Sequence, residues 1–98
     1  MDRYFYAYLL KCRDGTYYAG HTDEIEQRIA QHATGALGGY TSRRLPVTLV
    51  WSDRFLTRDE AFATERKLRG SSRAKKEALI AGDWRLVSQL AQNRQDSK

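Results

Sequence analysis

A single cysteine, a single proline and the want of any long apolar run set the first limits on this chain of 98 residues. Cys12 has no partner for an intramolecular disulfide, which fits a reducing cytosol. A lone cysteine is not a metal site, and Cys12 reads as a small buried hydrophobe at the end of a strand. The longest apolar runs fall far short of the ~20 residues that a membrane span needs. The N-terminus lacks the pattern of a signal peptide. With 41% hydrophobic and 30% charged residues, the chain is expected to be globular and cytoplasmic. One domain is expected over residues 1–91, with a disordered tail over 92–98, where no apolar residue occurs.

What the chain does have is positive charge, +5 overall, and the charge is unevenly placed. From Glu65 to Glu77 six basic residues stand against two acids, a net +4. So basic a segment favours a polyanion, and nucleic acid is the usual one. A solvated helix face is the plainer alternative.

The stretch Tyr6 to Gly20, YAYLLKCRDGTYYAG, holds two short apolar runs around Asp14-Gly15, a hairpin signal. A two-residue turn would pair Lys11 with Tyr18 and send Tyr8 and Tyr18 to opposite faces. A three-residue loop, with Gly15 supplying a positive φ, would pair Leu10 with Tyr18 and keep Tyr6, Tyr8, Leu10 and Tyr18 together. The three-residue loop is the favoured reading. Tyrosines packed on half-buried strands are the ordinary alternative to a functional pair.

Thr22 and Asp23 open a helix, with Asp23 and Glu26 spaced as a capping box. Ile25, Ile29, Ala33 and Leu37 recur every four residues as its buried stripe. Arg28 and His32 stack along one edge of that helix, where the guanidinium can border a cleft. Gly35, Gly38 and Gly39 end it, and Tyr40-Thr41-Ser42-Arg43-Arg44 follows as a polar, basic loop able to touch phosphates. Val47 to Trp51 reads as a third strand. Thr57-Arg58-Asp59-Glu60 is a capping box that starts a second helix. Its apolar face is Ala61, Phe62 and Leu68, and Glu65 falls in the middle. A buried carboxylate needs a partner. Glu65 therefore meets a cation such as Arg28, or sits at a cleft and binds a metal, or the face is assigned wrongly. Ser72 caps a third helix running to Ala81, and a last short one is expected around Trp84, Val87 and Ala91.

Taken in order, these residues resemble the GIY-YIG nuclease family, in particular its small single-domain bacterial members. The name motif appears as Tyr6-Ala7-Tyr8 and Tyr18-Ala19-Gly20. The likeness continues through Arg28, His32, Tyr40-Thr41, Arg43-Arg44, Pro46-Val47, Ala61 and Glu65, then into residues 73–80. Each tripeptide is weak alone; the ordered set is specific and spans nearly the whole chain.

The resemblance implies an α/β (α+β) fold, a small three-stranded antiparallel sheet flanked by helices in the order β-β-α-β-α-α. It implies hydrolysis of DNA phosphodiester bonds, in repair or recombination, with one divalent ion, Mg²⁺ or Mn²⁺. By position, Glu65 would bind the metal and Tyr8 would activate the attacking water. Tyr18 would place that water or the phosphate, Arg28 would stabilise charge on the phosphate, and His32 would support the attack. Gly20 would let the backbone pass close to the site, and Gly15 would shape the hairpin. His21, Tyr40, Thr41, Arg43, Arg44, Arg69, Arg73, Lys75 and Lys76 are the candidate nucleic-acid contacts.

Three departures stand out. Both motif centres are Ala rather than a larger aliphatic residue. His21 stands where some repair members carry Lys. Residues 66 to 88 contain neither the Asn that some members use nor a Gln. With no added DNA-binding domain, specificity for branched, flapped or single-stranded DNA must come from the domain or a protein partner. A non-catalytic nucleic-acid-binding module and a protein-interaction domain are the competing readings.

Overall fold

The structure, a computed structural model, describes residues 3–83; the helix expected around Trp84, Val87 and Ala91 and the tail over 92–98 lie outside them. Two strands form the hairpin, β1 (Phe5–Lys11) and β2 (Tyr17–Thr22). Two helical segments follow, α1 (Ile25–Thr34) and α2 (Gly39–Ser42), then β3 (Thr48–Phe55), α3 (Arg58–Arg69) and α4 (Arg73–Ile80). The three strands make one antiparallel sheet in the order β2-β1-β3.

The hairpin closes with the three-residue loop. Leu10 pairs with Tyr18, Cys12 N–H donates to Thr16 O at 2.8 Å, and Gly15 N–H donates back to Cys12 O at 2.9 Å. Gly15 takes φ +85°, a conformation other residues adopt only with strain. Asp14 accepts from the Thr16 backbone at 3.1 Å and its hydroxyl at 2.6 Å. From outside, Arg44 reaches Asp14 at 3.0 Å and Arg73 donates to Gly15 O at 2.9 Å.

That register settles the two faces, because side chains alternate across a strand. Tyr6, Tyr8, Leu10 and Tyr18 share the face under α1. Ala7, Leu9 and Ala19 share the other, which α3 covers. The core on the α3 side is Leu9, Ala19 and Leu68, with Tyr17, Val50, Trp51, Leu79 and Ile80 packed against it. β3 is longer than the apolar run suggested and continues through Ser52, Asp53 and Arg54. As an edge strand it tolerates those exposed polar residues.

Several local expectations are corrected. The Asp23–Glu26 capping box does not form: the N-cap of α1 is Glu24, without a side-chain cap. Asp23 is instead drawn to Arg3 at 2.7 Å and Arg58 at 3.6 Å, while Thr22 Oγ1 accepts from Glu24 N–H at 3.0 Å. The stripe on α1 is not buried. Ile25 and Ile29 are half-buried, Ala33 is exposed, and Leu37 is 44% exposed. A four-residue spacing overshoots the helical turn by roughly 40° at each step, so the stripe rotates off the sheet. Tyr6, Ile25, Ile29, Ala33 and Leu49 line an open apolar groove instead. The loop after α1 contains the helical turn α2. Phe62 is 41% exposed rather than part of the α3 face. The Thr57–Glu60 capping box is present as expected. No helix among the described residues is long and apolar enough to cross a membrane.

Candidate active site

β2 is an edge strand, and the candidate site is built around its rim. Tyr8 comes up from the central strand at 1% exposure. It stands opposite Gly20 on β2, and a Cβ at Gly20 would collide with Cζ and the hydroxyl oxygen of Tyr8. The missing side chain is what lets the phenol lie against β2. Tyr8 OH is 3.0 Å from His32 Nε2, the only fully buried residue among those of α1. His32 Nδ1 is 2.8 Å from Thr41 Oγ1 on α2. The Tyr18 ring tilts against His32 with centroids 5.2 Å apart and stacks on Tyr40 at 6.2 Å and 24°. Arg44 caps that stack 3.7 Å above the Tyr40 ring. Tyr18, Arg28, His32, Gly38, Gly39 and Tyr40 border one depression of about 300 Å³.

Glu65 arrives from the opposite layer. It projects from α3, three residues before Leu68 of the core, and is 4% exposed. His21 Nδ1 meets its Oε1 at 2.7 Å and Arg69 meets its Oε2 at 2.8 Å. The five residues that the family resemblance assigns to catalysis, Tyr8, Tyr18, Arg28, His32 and Glu65, do not share one side of the sheet. Tyr8, Tyr18 and His32 occupy the α1 face, while Glu65 and His21 occupy the α3 face. Glu65 meets His21 and Arg69 rather than Arg28, the candidate cation among the alternatives left open for it. The α3 helix packs on the face carrying Ala19 and His21, so a carboxylate on its inward side reaches those neighbours first.

The electrostatics tie the two layers together. Burial, the neighbouring Tyr18 and the Glu65 charge push the Tyr8 phenol up to about 12, and Arg28 pulls the other way. Burial, with the Arg28 charge adding to it, holds His32 below its ordinary value, so the imidazole is neutral at neutral pH.

The candidate nucleic-acid contacts differ in how far they are displayed. Tyr40 and Arg43 are exposed. Tyr17, Tyr18, Tyr40, Arg69 and Lys76 border a second depression of about 260 Å³ beside β2. Others are enclosed or already engaged by neighbouring groups. Thr41 is 2% exposed and bound to His32, so its hydroxyl is not displayed to a phosphate. Arg73 holds the hairpin loop and pairs with Glu77 at 3.0 Å. Lys76 Nζ donates to Ser71 O at 2.9 Å, and Lys75 lies half-buried on α4. Two contacts of Glu65 escaped the sequence reading. Arg69 was signalled by its i,i+4 spacing; His21 was placed as a nucleic-acid contact, and its reach to Glu65 depends on strand register.

Residues 4–78 match the family model described as the GIY-YIG catalytic domain. A UPF0213 protein of Streptococcus pneumoniae is 40% identical over 81 residues, covering 83% of this chain and 82% of that protein. A UPF0213 protein of Natronomonas pharaonis is 42% identical over 78 residues, covering 80% of this chain and 92% of that one. Among solved structures, the solution NMR structure of a UPF0213 protein from Bacillus halodurans has 38% identity and a TM-score of 0.52, covering 80% of this chain and 83% of its own. That of an E. faecalis protein has 34% identity and a TM-score of 0.55, covering 84% and 90%. The ordered motif, the sheet and the rim site thus have one explanation: the chain belongs to the GIY-YIG nuclease family.

Proposed function

We propose that this protein is a divalent-metal-dependent endonuclease that hydrolyses phosphodiester bonds in DNA, with branched, flapped or single-stranded forms as its substrates in repair or recombination. The observation that carries this reading is the grouping of Tyr8, Tyr18, Arg28 and His32 at one edge strand, with a buried carboxylate, Glu65, on the helix behind it.

Each residue type suits phosphoryl transfer. Arg28 supplies fixed positive charge opposite the charge that develops on the phosphate. Tyr18, half-buried beside His32, has its ring at the mouth of the cleft and orients the water or the phosphate. Tyr8 is the proton acceptor. With its phenol at about 12 it is protonated at neutral pH, so cations gathered around the substrate must favour its phenolate before it can act.

Among the described residues no three His, Cys, Asp or Glu side chains gather as a metal cage. The donor set still fits a hard dication of the Mg²⁺ kind, which binds through one or two carboxylates and keeps several waters. Glu65 would hold it. Its Oε2 partner Arg69 is 61% exposed and can turn into solvent. When bound, such an ion supplies Lewis-acid stabilisation of the phosphate oxygens.

The test is incubation of purified protein with plasmid and single-stranded DNA plus Mn²⁺, beside Glu65→Ala. Cleavage well above that of the variant supports the proposal; equal background removes it. A second reading, a binding module without catalysis, is favoured by one observation: His21 and Arg69 already engage both oxygens of Glu65. It expects salt-sensitive DNA binding, falling about one unit of log K per log[salt] for each phosphate contact, and unchanged by Glu65→Ala.

A further inference from the structure

Glu65 has two carboxylate oxygens, and their partners differ in kind. His21 Nδ1 meets Oε1 at 2.7 Å and Arg69 meets Oε2 at 2.8 Å. The His21 partner is fixed. Its backbone pairs in β2 opposite Ala7, and its ring leans on Phe62 with centroids 5.0 Å apart. The Arg69 partner is displaceable. It is the last residue of α3, and its side chain is 61% exposed. An ion pair with so exposed a cation contributes little, because water solvates the guanidinium outside the pair.

Arg69 also borders the depression of about 260 Å³ beside β2, with Tyr17, Tyr18 and Lys76. Lys76 is half-buried there and donates to Ser71 O, so Arg69 is the more displayed of the two cations. Tyr18 borders both this depression and the one lined by Arg28 and His32. A DNA strand laid across Tyr18 therefore brings its phosphates to Arg69. The planar guanidinium matches phosphate as well as carboxylate, so it has somewhere to go. It has a reason to go as well, since a guanidinium and a dication at one carboxylate oxygen repel each other.

We propose that Arg69 is an exchangeable counter-ion: it neutralises Glu65 in the free protein and leaves Oε2 for a DNA phosphate in the β2 depression, so that substrate binding opens Glu65 to the divalent ion. That role rests on the reading of Glu65 as the metal ligand and of DNA as the substrate. His21 stays on Oε1 through the exchange and keeps the carboxylate oriented, as outer partners of metal-binding carboxylates do. Linkage gives the exchange two signatures. Removing Arg69 tightens metal binding in the absence of DNA. Neutralising Glu65 tightens DNA binding in the absence of metal, and does so only while Arg69 is present.

The test is two binding measurements, neither of which needs cleavage. Mn²⁺ affinity without DNA is read from the electron paramagnetic resonance signal of the free ion. Arg69→Ala is expected to bind Mn²⁺ about fivefold tighter than the native protein, which is the upper range for an exposed pair. Arg66→Ala removes the same charge from α3 at a side chain that lies over Phe62, and is expected to change affinity by less than about twofold. Glu65→Gln is expected to abolish binding. Affinity for a single-stranded oligonucleotide is read by fluorescence anisotropy in EDTA. There Glu65→Gln is expected to tighten binding about fivefold in the native background and less than about twofold in Arg69→Ala. Equal Mn²⁺ affinity in native protein and Arg69→Ala, lost in Glu65→Gln, overturns the exchange and leaves the metal reading standing. Equal tightening by Arg66→Ala overturns it too, because general charge then suffices. A DNA gain from Glu65→Gln that persists without Arg69 has the same force. Absence of Mn²⁺ binding, or of DNA binding, in every variant removes the reading beneath the exchange and the exchange with it.

Discussion

Gly20 and Tyr8 face each other across the β1–β2 ladder, and the phenol fills the space a side chain at position 20 would need. Gly20→Ala forces that ring aside. Tyr8 is enclosed and held at its hydroxyl by His32, so the strain cannot be relieved at a flexible tip. The expected cost is about 1–3 kcal/mol. At about 4–8 °C per kcal/mol for a domain of this size, thermal unfolding would show it clearly. On the nuclease reading, cleavage falls further than stability alone explains, because a shift of ~1 Å at a reacting group can cost ~100-fold. A variant with native Tm and native rate would contradict this account of the glycine.

Glu65 and Arg69 separate charge from stability. Glu65→Gln keeps the shape and removes the charge that His21 and Arg69 share, and cleavage is expected to drop at least ~100-fold. Arg69→Ala is milder. Its guanidinium is 61% exposed and screened by water, and the buried Glu65 keeps His21 at its other oxygen, so a loss of about 1 kcal/mol is expected. Circular-dichroism melts should show a shift of only a few degrees for Arg69→Ala, and a larger one would mean that the pair is worth more than its exposure suggests.

The pH dependence of stability has two separable limbs. His32 is held below its ordinary 6.5 in the folded chain. The unfolded chain then takes up a proton that the folded one refuses, so stability is complete above about 6.5 and declines as pH falls through it. Melting curves of native protein and His32→Gln should converge in slope at neutral pH and diverge on acidification. Tyr8 is the opposite case. Its phenol ionises near 10 when unfolded and at about 12 when folded, so its contribution is intact below pH 10 and is lost as pH rises toward 12. Tyr8→Phe should lack that alkaline loss, and phenolate absorbance should show one of the six tyrosines titrating late.

Leu9 is wholly enclosed at the centre of the α3-side core, against Ala19 and Leu68. Leu9→Ala is expected to destabilise by about 2–5 kcal/mol. Urea midpoints measure this directly. A loss under ~1 kcal/mol would mean that the helices close over the gap.

Much of this was legible in the chain because the signals are local. Asp14-Gly15 announces the turn, and Gly15 adopts the positive φ that makes the loop three residues long. Thr57 and Glu60 cap α3 from three residues apart. Glu65 falls on the inward side of α3 by 3.6-residue spacing alone, and it is enclosed. What escaped was set at a distance. Asp23 looked like half of a capping box, but Arg3 and Arg58 compete for it from remote segments. Phe62 looked like core; the sheet under α3 is narrow, and the ring lies outside beside His21 at 5.0 Å. Thr41 looked like part of a phosphate-facing loop because nothing nearby in sequence reveals its partner, His32.

The placement of the five motif residues on two sides of an edge strand has a mechanical consequence. The phenols and the imidazole belong to one layer, the carboxylate belongs to the other, and strand β2 runs between them. Alignment between the halves is only as firm as the seam between α3 and the sheet. Loosening that seam would pull the halves out of step while every helix and strand stayed intact, so competence should fade on warming before the chain melts.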